Sequence, residues 1–210
     1  PPEGRLLLLA LGKAADAMMR EAVRSYEALG VAFEGLLVAP AAAVAPLQHP
    51  NIERLEGQHP VPGAASVAAG RALLAKAATA TANDLVVVLL SGGGSALAVD
   101  PVADLDVADL AGLHQALLDS GAPIEAMNVV RRRVDRLKGG GLALAAAPAP
   151  VVALAVSDVV GDDPLAIASG PTVGDPYGPQ DACEVLDRFA IAAPRIREVL
   201  AAEERGERSG

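Results

Sequence analysis

The amino-acid sequence predicts an α/β fold built on a mostly parallel sheet. Short runs that are apolar throughout alternate with segments in which apolar residues recur at helical spacing. Strands that are apolar at every position are typical of parallel sheets covered on both faces. Loops that contain glycine and polar residues follow three of the apolar runs, and open parallel sheets bind ligands at such strand ends.

Hydrophobic spacing assigns each element in turn. Continuous apolar runs predict buried strands, and apolar residues three and four positions apart predict helices. Segments rich in proline and glycine predict ordered loops. The predicted strands are residues 6–10, 32–38, 85–90 and 150–156. The predicted helices are residues 14–29, 64–80, 106–118, 124–137, 142–147 and 195–204, and the predicted loops are residues 39–63 and 159–179.

Composition limits the class of protein. The chain has 210 residues, of which 52% are hydrophobic and 20% charged, so it is long enough for one or two compact domains and does not have the composition of a disordered chain. Aromatic residues make up 2% and tryptophan is absent. The core must therefore be built from alanine, valine and leucine.

Charge and cysteine usage limit the partners. Against 26 acidic residues stand 17 basic ones, giving a formal net charge of −9, which is not the electrostatic footprint of a nucleic-acid-binding protein. The apolar runs are too short to span a bilayer. Cys183 is the only cysteine, so no internal disulfide can form and a cytoplasmic location is expected. A small phosphorylated ligand would need a local basic pocket.

The segment from Ser91 through Gly92, Gly93 and Gly94 to Ser95 is the strongest candidate site. Glycines allow successive backbone N–H groups to converge on an anion, and the two serines add hydroxyl donors. A helix beginning at the end of this loop would aim further free N–H groups at the same place. The alternative is a purely steric strand-to-helix turn. The loop does not have P-loop spacing, so a cation must come from elsewhere.

Several cations could serve that loop. Lys13 follows the first strand and precedes a helix, although an exposed surface lysine is the alternative. Asn128 and Arg131 lie three residues apart and share a helix face, where together they could address a carboxylate or a phosphate. Lys138 stands where that helix is expected to stop. A solvated basic face over residues 131–138 is the alternative for this cluster.

Acids and hydroxyls follow the last predicted strand. Asp158 and Asp162 could hold Mg²⁺ together with phosphate and water, or Asp158 could accept a proton from a substrate hydroxyl. Asp163 belongs to the same cluster, and the alternative for all three is turn and helix-capping chemistry. Ser169 and Thr172 add hydroxyls in a later turn. His59 could contact substrate, while the spacing of the histidines does not fit a zinc site.

These motifs together resemble the amino-terminal domain of the class II glycerate kinases, also called glycerate 2-kinases, whose members have often been labelled hydroxypyruvate reductases. They occur in the family's order and cover most of the chain. The matching segments are residues 12–15, 59–62, 91–97, 128–131, 138–140, 157–164 and 167–172.

The resemblance implies ATP-dependent phosphorylation of D-glycerate to 2-phosphoglycerate with Mg²⁺. It implies a Rossmann-like, three-layer domain with helices on both faces of the sheet, spanning residues 1–210, and a cleft whose other wall is a smaller carboxyl-terminal domain absent from this chain. Lys13 matches the family's active-site lysine, residues 91–95 its phosphate loop, and Asn128, Arg131 and Lys138 its polar cluster. The aspartates after the last strand match acidic positions near the metal or the substrate hydroxyl.

The resemblance therefore assigns each candidate residue a role. We expect Lys13, Arg131 and Asp158 to be catalytic, and Asp158 and Asp162 to be metal ligands. The substrate- or phosphate-binding residues are Ser91, Gly92, Gly93, Gly94, Ser95, Asn128, Lys138, His59, Ser169 and Thr172.

Three positions depart from the family pattern. Proline is expected at Val160, histidine at Arg133 and aspartate at Gly63, so loop rigidity and substrate contacts could differ. Three alternatives stay open: a truncated or diverged domain that binds without turnover, a hydroxypyruvate reductase, and a kinase for another hydroxy acid. The single glycine within residues 10–15 argues against a dinucleotide-binding dehydrogenase. A homodimer is also left open.

Overall fold

A computed structural model describes residues 3–42 and 45–207. Its centre is a five-stranded sheet in which every strand pair is parallel, with the order β3-β2-β1-β4-β5. Residues 43 and 44, within the predicted loop 39–63, lie outside the described residues. The strands are β1 Leu6–Leu11, β2 Phe33–Pro40, β3 Ile52–Gly57, β4 Leu85–Ser91 and β5 Val151–Val156.

Helices cover both faces of this sheet. In the described part of the chain they are α1 Ala15–Ala28, α2 Ala64–Ala77, α3 Gly94–Leu97, α4 Val107–Asp119, α5 Ile124–Arg133, α6 Gly141–Ala146, α7 Pro179–Arg188 and α8 Pro194–Glu204. A short 3-10 helix occupies Ile167–Ser169. The parallel α/β architecture with helices on both faces, expected from the sequence, is confirmed.

The alternation of side chains along the central strands builds two cores. In β1, Leu8 and Ala10 face α1, where they pack with Met19. Leu7 and Leu9 point to the opposite face, which α2 and α6 cover. Because both faces are covered, all six residues of β1 are buried, as an apolar strand in a parallel sheet requires.

The strand order reverses between β1 and β4. From β1 the chain adds β2 and then β3 on one side, and α2 carries it back across the sheet to β4 and then β5 on the other side. The carboxyl ends of β1 and β4 therefore lie next to each other at a topological switch point, which is where open α/β sheets form their ligand-binding crevice.

The structure corrects the prediction of a continuous loop over residues 39–63, because β3 lies within it. The sequence of β3 is Ile-Glu-Arg-Leu-Glu-Gly, and only its first and last residues are buried. As an end strand it pairs only with β2, so its charged side chains can reach solvent. A strand exposed in this way does not need an apolar run, and the sequence of β3 has none that would have predicted it.

The prediction that residues 150–156 form a buried strand is half right. A strand is present as β5, but Val152, Leu154 and Val156 are 46%, 53% and 54% exposed. β5 is the other end strand, and no described element covers these side chains. The apolar pattern therefore predicted the strand correctly but not the exposure of these side chains.

Helices α5 and α7 also differ from the prediction. Helix α5 ends at Arg133, four residues before the predicted end at residue 137. Helix α7 was not predicted, although Pro179 stands at its first position and Asp181 accepts a hydrogen bond from the Gly178 backbone, a common helix start. Together α5, α7 and α8 form a separate apolar cluster beside the sheet.

No helix in the described ranges is both long and apolar enough to cross a membrane.

Leu89→Ala and Leu154→Ala test the difference in burial between β4 and β5. The two leucines pair in register, yet Leu89 is 3% exposed and Leu154 is 53% exposed. We expect Leu89→Ala to lower the free energy of unfolding by about 3 kcal/mol through lost burial and a cavity, and Leu154→Ala to lower it by less than about 1 kcal/mol. Urea denaturation measures both. Equal losses would contradict the exposed position of β5.

Candidate anion-binding site at the switch point

The loops after β1 and β4 are locked together by direct hydrogen bonds. The Lys13 backbone N–H donates to the Gly92 carbonyl at 2.9 Å, and the Ala14 N–H donates to Ser91 Oγ at 3.0 Å. Gly12, at φ +133°, makes this possible, because a Cβ there would overlap the Ser91 hydroxyl and carbonyl oxygens. The glycine that precedes Lys13 is therefore a packing requirement of the site.

The glycine loop offers a row of free backbone donors. No residue in the described part of the chain accepts a hydrogen bond from the amides of residues 92–95. Gly93 has φ +85°, a left-handed conformation that favours glycine. Helix α3 begins directly in this loop, as expected, but it is only four residues long. The anion-binding capacity of the loop therefore lies in its local amides, since a longer helix dipole is not available.

The Lys13 side chain lies over this loop. A Cβ built on Gly93 would be 3.0 Å from Lys13 Cε and 3.3 Å from His59 Cδ2, so these three residues form one corner. Lys13 has no carboxylate within ion-pair distance among the described residues. Partial burial of the ring, together with the charges of Lys13 and Arg131, lowers the pKa of His59 below its usual value. His59 is accordingly neutral at pH 7.

Asp158 closes the other side of the loop. A Cβ at Gly92 would overlap the Asp158 carboxylate, so this acid lies directly against the glycine loop. The carboxylates of Asp158 and Asp162 have no hydrogen-bond or ion-pair partner within the described ranges, whereas the Asp163 carboxylate accepts a hydrogen bond from the Leu165 backbone. The turn-capping alternative therefore holds for Asp163 only.

The donor set can be compared with the needs of a metal ion. Within the described ranges no group of three or more His, Cys, Asp or Glu side chains could hold one. Mg²⁺ is commonly held by only one or two carboxylates, with water and substrate phosphates completing its shell. The unengaged carboxylates of Asp158, which lies against the loop of free amides, and of Asp162, four residues later, fit that kind of site in their chemistry.

Two of the predicted hydroxyls are used inside the fold. Ser91 Oγ accepts the hydrogen bond from Ala14 and is 3% exposed. Ser169 is fully buried, and its hydroxyl donates to Asn128 Oδ1 at 2.8 Å and lies 2.7 Å from Ser95 Oγ. The sequence pattern identified these positions, but their side chains hold the loop in place.

The chain Ser95, Ser169 and Asn128 ties the glycine loop to helix α5. Asn128 completes it by donating to the Ala166 carbonyl at 3.1 Å. Ala168 and Ser169 both have positive φ, at 51° and 61°, a conformation that costs free energy for residues other than glycine. The surrounding contacts impose it, and they place the Ser169 hydroxyl between the loop and the helix.

Arg131 is the unbalanced charge of the site. Its side chain is buried, its Nε has no hydrogen-bond partner, and no carboxylate in the described residues pairs with it. Burial lowers the pKa of Arg131 to about 10, so it is still charged at pH 7. A buried cation without a counter-ion is strongly unfavourable, which makes Arg131 the best candidate to receive an anionic ligand.

The neighbouring basic residues are neutralised within the protein. Arg132 pairs with Asp175 at 2.9 Å, and Arg133 pairs with Asp175 at 3.1 Å and with Glu203 at 2.8 Å. The expectation of a solvated basic face is wrong for these two arginines, because Asp175, just before α7, and Glu203, on α8, supply carboxylates from positions far along the chain.

Lys138 also has a partner inside the protein. Its ammonium pairs with Asp135 and donates to the Ala98 carbonyl at 3.4 Å. Burial lowers the pKa of Lys138 and raises that of Asp135, and the attraction between the two opposes both shifts. Asp135 was missed in the sequence, although its position three residues before Lys138 is a usable signal for an ion pair.

The remaining predicted residue and one unpredicted residue complete the surroundings. Thr172 lines the cavities on both sides of residues 172–174. His114 on α4 is buried with an unpartnered Nδ1. Its burial and the nearby charges of Arg131 and Lys138 lower its pKa well below the usual value. A lone histidine in an apolar helix gives no sequence signal of that position.

Comparison with known proteins identifies relatives along almost the whole chain. The family model described as Domain of unknown function (DUF4147) matches residues 1–201. An Agrobacterium vitis protein with hydroxypyruvate reductase in its name is 42% identical over 193 residues, which are 92% of this chain and 43% of that protein. A Thermotoga maritima protein named D-glycerate 2-kinase is 38% identical over 187 residues, 89% of this chain and 44% of the relative.

Solved structures agree with these matches. The crystal structure titled glycerate kinase from Thermotoga maritima superposes with a TM-score of 0.83 at 37% identity, over 93% of this chain and 47% of that chain. The chain spans about half the length of the relatives it matches.

Replacing Lys13 tests the corner formed by Lys13, Gly93 and His59. Because the ammonium charge disfavours protonation of the ring, we expect Lys13→Met to raise the pKa of His59 toward its usual value. The matched control is Lys76→Met, since Lys76 pairs with Glu34 away from the loop. Histidine NMR titration measures both. An unchanged His59 titration in Lys13→Met would place the ammonium away from the ring.

Proposed function

The chain belongs to the family described as Domain of unknown function (DUF4147), and we propose that it forms the phosphate-binding part of a kinase for D-glycerate. The product would be 2-phosphoglycerate, and the other wall of the cleft would come from a smaller carboxyl-terminal domain. The observation that carries this proposal is a pair of cations, Lys13 and Arg131, that both act on His59 and have no carboxylate partner among the residues that the structure describes.

The glycine loop and Lys13 would bind the phosphoryl group during its transfer. Phosphoryl transfer depends on positioning and on neutralising charge spread over the phosphoryl oxygens. Free amides at residues 92–95 can donate to those oxygens, and the Lys13 ammonium lies over the same loop. These groups are fixed by the lock between the β1 and β4 loops, so little reorganisation is needed during the reaction.

Arg131 would bind the carboxylate of the acceptor. Its buried guanidinium has an unpaired Nε, and a carboxylate both neutralises and hydrogen-bonds this group. Asn128 lies one helical turn before it, but its amide is already bonded to Ser169 and Ala166. In this proposal Asn128 positions the loop and Arg131 contacts the substrate, while His59 at the corner with Lys13 borders the same space.

ATP and Mg²⁺ complete the proposal. When bound, Mg²⁺ would neutralise charge on the nucleotide phosphates. Asp158 and Asp162 are the residues that would hold it. Asp158, which touches the glycine loop, would alternatively accept the proton of the acceptor hydroxyl. Lys138 would act indirectly, through its pair with Asp135 beneath α5.

Hydroxypyruvate reduction is the second candidate. The name of the Agrobacterium vitis relative favours it. Against it stands the turn after β1, where Gly12 is the only glycine within residues 10–15, although three are used to bring a backbone close to a dinucleotide pyrophosphate. A domain that binds without turnover is a third outcome, because the chain spans about half the length of its relatives.

A transfer assay separates these candidates. Incubation with ATP, Mg²⁺ and D-glycerate is followed by ³¹P NMR, both for this chain alone and for the longer protein. A parallel reaction contains hydroxypyruvate and NADH or NADPH. We expect 2-phosphoglycerate in the first reaction and no nucleotide oxidation in the second. Nucleotide oxidation without phosphoryl transfer would contradict the proposal, and ligand binding without product in either protein would indicate a binding domain.

Lys13→Ala tests the proposed charge stabilisation. Loss of one preorganised donor in such a site reduces kcat by about 10²- to 10³-fold, and we expect a loss of this size in the most active form of the protein. Lys76→Ala removes an equal charge far from the loop and should leave kcat unchanged. Equal rates for Lys13→Ala and Lys76→Ala would show that Lys13 is only a surface lysine.

A further inference from the structure

A cavity next to the glycine loop is not used by the functions assigned above. It has a volume of about 600 Å³ and lies between β5 and the segment from residue 162 to residue 173. Most of its wall is apolar, with polar groups at one side. The apolar residues include Leu90, Ala155, Ile167 and Val173, and the polar residues include Asp162 and Thr172.

The cavity adjoins the loop through two direct connections. Leu90, in its wall, immediately precedes Ser91. Ile167, also in its wall, immediately precedes Ala168, whose Cβ lies 2.6 Å from the position that a Cβ on Gly94 would take. A ligand whose phosphates lie on the amides of residues 92–95 therefore has this cavity as a neighbour for its remaining part.

The chemistry of the wall selects the class of group that fits. Small-molecule sites have volumes of about 300–1,000 Å³, with mostly apolar walls and a few polar groups that fix orientation. The apolar side chains suit the faces of a planar ring, while the Thr172 hydroxyl can bond to a ring or ribose group. Asp162, proposed above as a ligand of Mg²⁺, lies in the same wall.

We propose that this cavity holds the nucleoside part of the phosphoryl donor, and this inference rests on the proposed kinase function. The donor then spans the end of β4, with its phosphates on the glycine loop and its nucleoside beside β5. The acceptor lies on the opposite side of the loop, toward Lys13 and Arg131. Asp158 lies against the glycine loop, and Asp162 lies in the cavity wall.

Paired substitutions on β5 test the cavity. Ala155 faces it, and Leu154, the residue just before it on the strand, faces the opposite side of the sheet. Both residues are exposed, so phenylalanine at either position should leave the fold intact, which circular dichroism checks. Ala155→Phe places a ring in the cavity, and Leu154→Phe is the matched control.

The readout is calorimetric binding of two probes, ATP with Mg²⁺ and inorganic tripolyphosphate with Mg²⁺. We expect Ala155→Phe to weaken ATP binding by at least about tenfold, because the nucleoside contacts are lost. Tripolyphosphate binding should be unchanged in this variant, since the probe has no nucleoside. Leu154→Phe should bind both probes as the unmodified chain does.

The other outcomes separate this inference from the proposed function. Unchanged ATP binding in Ala155→Phe, or equal weakening of both probes, would overturn the cavity assignment and leave the phosphate loop standing. Equal affinity of the unmodified chain for tripolyphosphate and ATP would also overturn the cavity assignment. Such a result is expected if the cavity is filled by another segment of a longer protein and not by a nucleoside. Failure of the unmodified chain and the longer protein to bind either probe would overturn both proposals.

Discussion

Close approach of the loops after β1 and β4 is the constraint on which the site depends. Parallel pairing of these strands brings Gly12 against Ser91, and a side chain at position 12 would overlap that serine. The backbone of Lys13 and Ala14 is then held in place by the hydrogen bonds from Lys13 to Gly92 and from Ala14 to Ser91. Lys13 is thereby set over the glycine loop, and everything proposed for the site assumes this placement.

The distribution of buried charge then identifies what the site lacks. Arg132, Arg133 and Lys138 all pair with carboxylates supplied by the fold. Arg131 is the exception, although it lies on α5 next to Arg132 and is as buried as that residue. Since burying an unpaired charge costs several kcal/mol, a protein that keeps one at a strand-end crevice gains most when an anion binds there. The free amides of the glycine loop point to the same kind of ligand.

Sequence patterns predicted the parallel sheet, the glycine loop and the cation after β1, because each depends on a local signal such as an apolar run or a glycine cluster. They failed at both ends of the sheet, where β3 carries charged residues and β5 is apolar but exposed. They also could not show that Asp175 neutralises Arg132, since that partner lies 43 residues away. Long-range pairing decides which cations are free, and a single sequence does not report it.

The most direct measurement of the central claim is the response of the backbone amides to ligand, followed by ¹⁵N–¹H NMR during titration with Mg²⁺ and ATP. We expect the largest chemical-shift changes on the amides of residues 92–95 and of Lys13, which lie together at the switch point. Changes confined to α7 and α8, with the loop amides unmoved at saturating nucleotide, would contradict it.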